Sequence, residues 1–259
     1  MLVPIRTGGA KPPLFFVHGL DGVMPFGRSL MRALAPDRPL YALNARGLDG
    51  QQPPSQAVQE MADDYLREVR QVQPTGPYIL GGICAGAMAA LEMARNLLAM
   101  DEAVAPVLMV DPPGVPPGFN EQHQALKSGL SPRIHQQLYR SALESLRRSA
   151  LRDGGLPFDV GDPQRLHVAA TAGVTTMVAF SRHRPAPFHG ATECFLSEER
   201  APAHFNPALP WRGLLQGPRV IHVLPGSHDS LFDPTRGDLW RMIGFSVECL
   251  TESAASADA

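Results

Sequence analysis

Four short apolar runs recur through the first 115 residues: "LFFV" (14–17), "LYAL" (40–43), "YILG" (78–81) and "VLMV" (107–110). Each is apolar throughout rather than alternately, and each closes on turn-forming or polar residues. That is the pattern of a strand covered on both faces, as in a parallel sheet. Between the runs lie helical patterns at 26–35, 57–72 and 85–100. Strand, helix, strand, helix points to one architecture, a mostly parallel, doubly wound α/β sheet with helices on both faces.

The alternation stops after residue 111. From 112 to about 187 there is little strand signal. "PRIHQQLYRSALESLRRSALRD" instead places Ile134, Leu138, Ala142 and Leu146 four apart, one apolar helix face. A second helix is expected over 163–181. Strands resume with "ECFLS" (193–197) and "VIHVL" (220–224). A long helical insertion between late strands suggests a lid over one end of the sheet, with apolar helix faces lining a channel. The expected organisation is a core of 1–115 and 188–250, a lid of 116–187 and an unstructured tail of 251–259.

The junction of the third run and its helix reads "GGICAGAMAALEMARNLLAM" (81–100). Gly82, Cys84 and Gly86 form G-x-C-x-G, a cysteine form of the nucleophile elbow. On so sharp a turn the positions two before and two after the nucleophile approach each other, and only very small side chains avoid a clash. Ala85, Ala87, Ala89 and Ala90 let the helix lie close on the sheet. Its N-terminus offers free N–H groups and a partial positive charge that favours thiolate. The plainer alternative is a small buried thiol, the usual fate of a lone cysteine. The strand-to-helix setting favours a nucleophile.

A nucleophile needs a base and a group to orient it. Asp111 follows "VLMV", 27 residues after Cys84, and opens "DPPGVPPG", whose prolines cannot extend a strand. It therefore sits at a carboxyl strand end, where α/β sites lie. His228 lies a few residues beyond "VIHVL" in a loop returning to that same end. Asp229 competes as the orienting acid, but adjacent residues seldom aim side chains at each other. His222, inside its strand, is expected to pair locally. For the oxyanion of an acyl transfer, the amides of Ala85 and of Leu20, in "LFFVHGLDG", are the candidate donors. Gly19 lets that loop turn in and His18 shapes it.

Composition narrows the remaining classes. The chain has 259 residues, 44% apolar, and a formal net charge of −2, so nothing electrostatic calls for nucleic acid or an acidic membrane. No 18-residue apolar run and no apolar signal core are present. Cys84, Cys194 and Cys249 are too dispersed for a disulfide framework or a metal cluster, which fits a reducing cytoplasm.

The stretches "PLFFVHGLDG", "RPLYALNARGLDGQQPP", "GPYILGGICAGAMAALEMARNL", "VLMVDPPG" and "LPGSHDSLF" stand in the order and spacing of a known family. Over nearly its whole length the chain resembles the thioesterase domains that end nonribosomal peptide and polyketide assembly lines. These form a branch of the α/β-hydrolase superfamily, so the resemblance implies an α/β-hydrolase fold with a helical lid. It maps the nucleophile to Cys84, the acid to Asp111, the base to His228 and the oxyanion donors to Leu20 and Ala85. The family usually carries serine where Cys84 stands. The resemblance also places "LVPIRTGGAKPPLF" where such a domain follows a carrier domain. It implies an acyl or peptidyl carrier protein as partner. The thioester arm, phosphopantetheine, belongs to that partner, so no cofactor of the chain's own is expected. The implied reaction is release of the bound chain through a Cys84 acyl-enzyme, by ring closure (a strained β-lactam or β-lactone at the extreme) or by hydrolysis. A stand-alone editing thioesterase and a dienelactone-hydrolase-like Cys-His-Asp enzyme are the alternatives with the same residues. A silent binding module of the same fold is the alternative from another class.

Overall fold

The computed structural model describes residues 1–24, 37–114, 130–151, 156, 158–206, 210–233 and 236–257. In chain order the elements are β1 (Leu2–Arg6), β2 (Leu14–Val17), β3 (Leu40–Leu43), α1 (Val58–Val72), β4 (Ile79–Ile83), α2 (Gly86–Leu98), β5 (Val107–Val110), α3 (Pro132–Ala150) and α4 (Pro163–Arg182). They continue with β6 (Thr192–Ser197), α5 (Ala201–Phe205), α6 (Pro210–Leu214), β7 (Arg219–Leu224), α7 (His228–Leu231) and α8 (Asp238–Ala257). The expected helix at 26–35 and the first part of the expected lid, 116–129, lie largely or wholly outside the described residues.

The strands form one seven-stranded sheet, ordered β1-β3-β2-β4-β5-β6-β7. Every neighbouring pair is parallel except β1 with β3. β1 has apolar residues at Leu2, Val3 and Ile5, but Pro4 interrupts them; proline removes a backbone donor and is confined to edge positions. That is why the sequence pattern passes over it. Strand residues alternate between two cores. Phe15, Val17, Leu80 and Met109 pack with α1 and α2 on one face. Leu14, Phe16, Ile79 and Leu108 pack with Trp240, Ile243 and Val247 of α8 on the other. Two covered faces explain why β2, β4 and β5 are apolar at every position.

β4 runs to Ile83, two residues beyond the expected end at Gly81, because the glycine pair continues the ladder beside Phe16–Val17 and Leu108–Met109. The tail expected to be unstructured from 251 coincides with α8, whose helical backbone continues to Ala257.

The insertion between β5 and β6 holds two helices of different character. α3 starts at Ser131, whose hydroxyl accepts from Ile134 N–H, and buries only Ala142, Leu146 and Ser149. α4 starts at Asp162, which caps Gln164 N–H at 2.9 Å, and is buried along most of its length. Ala179 and Phe180 near its end belong to the core under α1 and α2. α3 thus lies mostly at the surface, while the end of α4 is core. Amide exchange is expected to be faster along α3 than along the second half of α4. Mass-spectrometric exchange giving equal protection in the two would contradict this difference.

Candidate active site

The parallel register sets the site. Val17 pairs with Gly82, Ile83 with Val110, Val110 with Phe195 and Ser197 with Leu224. The strands β2, β4, β5, β6 and β7 therefore end together, and the five loops that follow them meet at one carboxyl edge.

At the centre of that edge, Cys84 adopts φ 51°, a left-handed conformation that costs a non-glycine residue energy. Its N–H donates to Val110 O at 2.8 Å, and Ala85, at φ −62°, leads into α2. A Cβ on Gly82 would lie 2.4 Å from Gly86 O, and one on Gly86 would lie 1.9 Å from His18 O. The second contact presses the start of α2 against the loop after β2. Leu20 and Cys84 consequently line one cavity, with Ala85 adjacent to the sulfur-bearing residue. His18 is bonded within its surroundings, to Gly19 O at 2.5 Å and Tyr65 Oη at 2.6 Å. Burial lowers its pKa.

Asp111 also has positive φ, 44°, and is wholly buried. Its Oδ1 accepts from Ser197 N–H at 2.7 Å and Ser197 Oγ at 2.9 Å. Its Oδ2 lies 2.6 Å from His228 Nδ1. His228 opens the short helix α7. Its N–H donates to Glu199 Oε2 at 3.0 Å, and its ring stands edge-on to Phe232. The structure thus joins His228 to Asp111. His222 pairs with Glu193 Oε1 at 2.7 Å and stacks on Phe195, away from this cluster.

Burial alone would push the Cys84 thiol up. The neighbouring His228 and the guanidinium of Arg200 outweigh that, and the thiol lies below its ordinary pKa. Burial would lower His228, but the bond to Asp111 and the sulfur beyond it raise the imidazole to about 9. Burial likewise would raise Asp111, yet His228, the Ser197 amide and Arg200 hold it below the usual carboxylate range. These shifts run in the direction of a thiolate beside an imidazolium.

Sequence reasoning missed Ser197, Glu199 and Arg200, all in "SEER" at the carboxyl end of β6. The rule that selected Asp111 at the end of β5 would have selected them too. A second departure concerns the lid. The cavity, about 310 Å³, meets α3 through Ser141, Ser145, Arg148 and Ser149, a polar face, and α4 through Met177, so the apolar lining expected comes from α4 and not from α3. Ser145 Oγ donates to Asp21 Oδ2 at 2.7 Å. The apolar face of α3, at Ala142 and Leu146, is buried instead with Val23, Ala45, Leu48 and α4. Among the described residues no group of His, Cys, Asp and Glu is arranged to hold a metal ion, and no helix is long and apolar enough to cross a membrane.

A sharp strand–turn–helix corner at the middle of a mostly parallel sheet, with an acid and a histidine brought to it from later strand ends, defines an α/β-hydrolase fold. The thioesterase domain model matches residues 12–237, and the chain belongs to that family. A dimodular nonribosomal peptide synthase of Bacillus subtilis is 39% identical over 111 residues, 43% of this chain and 5% of that protein. A probable non-canonical nonribosomal peptide synthetase of Salinispora arenicola is 29% identical over 253 residues, 90% of this chain and 3% of the relative. The chain thus spans only a small part of these curated relatives. Solved structures agree on the fold. A four-domain nonribosomal peptide synthetase bound to AMP and glycine superposes with a TM-score of 0.72 at 23% identity, over 95% of this chain and 20% of that one. The NocB thioesterase domain, in covalent complex with a fluorophosphonate nocardicin G analog, gives 0.66 at 22% identity, over 92% and 94%.

Proposed function

We propose that this domain releases a carrier-bound acyl or peptidyl chain through a thioester on Cys84, and that release proceeds by ring closure, with hydrolysis as the competing outcome. The observation that carries the reading is Cys84, held at φ 51° on the elbow, lining one cavity with a His228 that is itself bonded to buried Asp111. Membership of the family and the likeness to nonribosomal peptide synthetases support a carrier-bound thioester as the substrate.

In the first half-reaction the Cys84 thiolate attacks the thioester carbonyl. The oxyanion is received by the N–H groups of Leu20 and Ala85. The intermediate then collapses, the carbon–sulfur bond to the carrier arm breaks, and the His228 imidazolium protonates the departing sulfur. In the second half, neutral His228 removes a proton from the attacking group, and the bond to Cys84 Sγ breaks. The attacking group is an amine or hydroxyl of the chain in ring closure, and water in hydrolysis.

Sulfur at the elbow bears on which outcome prevails. Transfer from a carrier thioester to serine would give an oxyester and lose part of the acyl group's activation. Transfer to cysteine exchanges one thioester for another and retains it. Hydrolysis is downhill from either intermediate, whereas a strained ring must be offset by the bond that breaks. A four-membered lactam or lactone is the most demanding product that this reasoning accommodates. The polar face of α3 suits a chain with hydrogen-bonding groups better than a bare hydrocarbon.

The test is product analysis by mass spectrometry with carrier-loaded chains. Cys84→Ser is expected to retain acylation but shift release toward linear acid or a stalled acyl-enzyme. The same product at a similar rate from Cys84→Ser, or linear acid alone from the native domain with every chain tried, would remove ring closure and leave hydrolytic release.

A further inference from the structure

Arg200 stands where no member of the nucleophile–base–acid set places it. It caps the short helix α5 at the end of β6, and its N–H is held by Ser197 O at 3.1 Å and Ser197 Oγ at 3.3 Å. Its guanidinium crosses the carboxyl edge of the sheet to the neighbouring strand ends. Nη1 donates to Asp111 O at 2.6 Å and lies 3.7 Å from Cys84 Sγ, while Nε lies 3.6 Å from Asp111 Oδ2. The side chain is 22% exposed and lines the reaction cavity. A planar fork fixed at one end by a backbone carbonyl therefore presents a permanent positive charge to the reacting sulfur. Among the described residues the ionisable groups at or beside the cavity include His228, Asp111, Asp229, Asp21, Arg148 and Glu199, which accepts from His228 N–H.

We propose that Arg200 is a catalytic residue, the permanent counter-ion that takes up the negative charge of Cys84 Sγ in the resting enzyme and again when the sulfur departs from the acyl group. The inference rests on the acyl-enzyme reading above. Its chemical consequence lies in the second half-reaction. With serine at the elbow, an alkoxide cannot leave unprotonated, so the histidine must return to the departing oxygen the proton it has just taken. With Arg200 beside Sγ, the carbon–sulfur bond breaks with its electron pair going to sulfur as thiolate. The proton taken from the attacking amine, hydroxyl or water stays on His228. The products are the released chain, the Cys84 thiolate, the His228 imidazolium and an unchanged Arg200, which is the starting state. His228 thus needs to act only as base in that step, an advantage when the attacking group is a weakly acidic N–H.

The experiment reads the free enzyme first. The pH dependence of Cys84 alkylation by iodoacetamide is compared for wild type, Arg200→Gln and Arg200→Lys. Loss of the guanidinium is expected to move the acid limb up by about one pH unit or more, and the lysine variant should recover most of that shift. A purely structural role would slow the enzyme without moving the limb. An unmoved limb in folded Arg200→Gln overturns the proposal. Should that variant not fold, wild type carries the test alone: the rate ratio of anionic iodoacetate to neutral iodoacetamide is measured a unit above the His228 pKa of about 9, where the imidazole is neutral. A ratio above that of free cysteine is expected, and one at or below it overturns the proposal. Loading of Cys84 from an acyl thioester is read separately by intact-protein mass. No adduct would overturn the acyl-enzyme reading itself, whereas an adduct with an unmoved limb would remove only the role of Arg200.

Discussion

Cys84→Ala is expected to lower product release by about 10⁵-fold or more, and His228→Ala by about 10⁴-fold or more, because members of a nucleophile–base pair act as a unit. The two losses should not multiply in the double variant. Asp111→Asn should cost less, about 10²-fold against the roughly 10⁴-fold known for the equivalent change behind a serine. The reason is the state of the nucleophile. A hydroxyl must be deprotonated during attack, so the acid behind the base matters at the moment of reaction. The Cys84 thiol already lies below its ordinary pKa, with Arg200 as a second cation beside it. On the proposed mechanism Asp111 serves mainly to orient His228 and to hold its proton on Nδ1. Steady-state release of a carrier-bound chain measures all three. A silent Asp111→Asn together with a crippled Asp229→Asn would reverse the assignment of the acid.

Gly86→Ala is expected to damage both stability and activity. The added Cβ would sit 1.9 Å from His18 O and 3.0 Å from Val17 O, atoms of backbone that cannot rotate away as a side chain could. Either α2 lifts from the sheet or the loop after β2 moves. Overpacking of this kind costs about 3 kcal/mol or more. In a chain of this size that corresponds to a fall in Tm of about 6–12 °C. The same displacement would separate the Leu20 and Ala85 amides, so release should fall even in the fraction that stays folded. Gly8→Ala is the control, since a Cβ there meets nothing within 4 Å. Thermal melts that put Gly86→Ala level with Gly8→Ala would show that the elbow has room the geometry denies.

Local pattern was sufficient wherever one segment alone sets the outcome. "LFFV", "LYAL" and "VLMV" read as strands and are strands at those bounds, because a segment covered on both faces must be apolar throughout. The elbow was legible because its two glycines answer a clash within five residues. Asp111 and His228 were legible as loop residues at carboxyl strand ends. Long-range relations were not. β1 pairs at the sheet edge across some 40 residues of chain, so nothing in "LVPIR" needs to be continuously apolar. α8 shows its buried stripe only against the sheet face formed by Leu14, Phe16 and Ile79.

What the sequence determined by itself is the order of the strands β2 to β7 with the helices α1 to α4 among them, and the chemical kind of the candidate nucleophile, acid and base, since spacing and residue type are properties of short stretches. Which groups touch was decided only in three dimensions. Asp111 rather than Asp229 meets His228, because the parallel register brings the ends of β5 and β7 into reach while adjacent side chains diverge. Arg200 reaches Cys84 across 116 residues because β6 ends beside β5, one strand from β4. The polar face of α3 turns to the cavity because its apolar stripe is taken by α4 and the loops after β2 and β3. In each case a side chain's partner depends on which strand lies beside which and on what already covers the opposite face, and neither is written in any single segment.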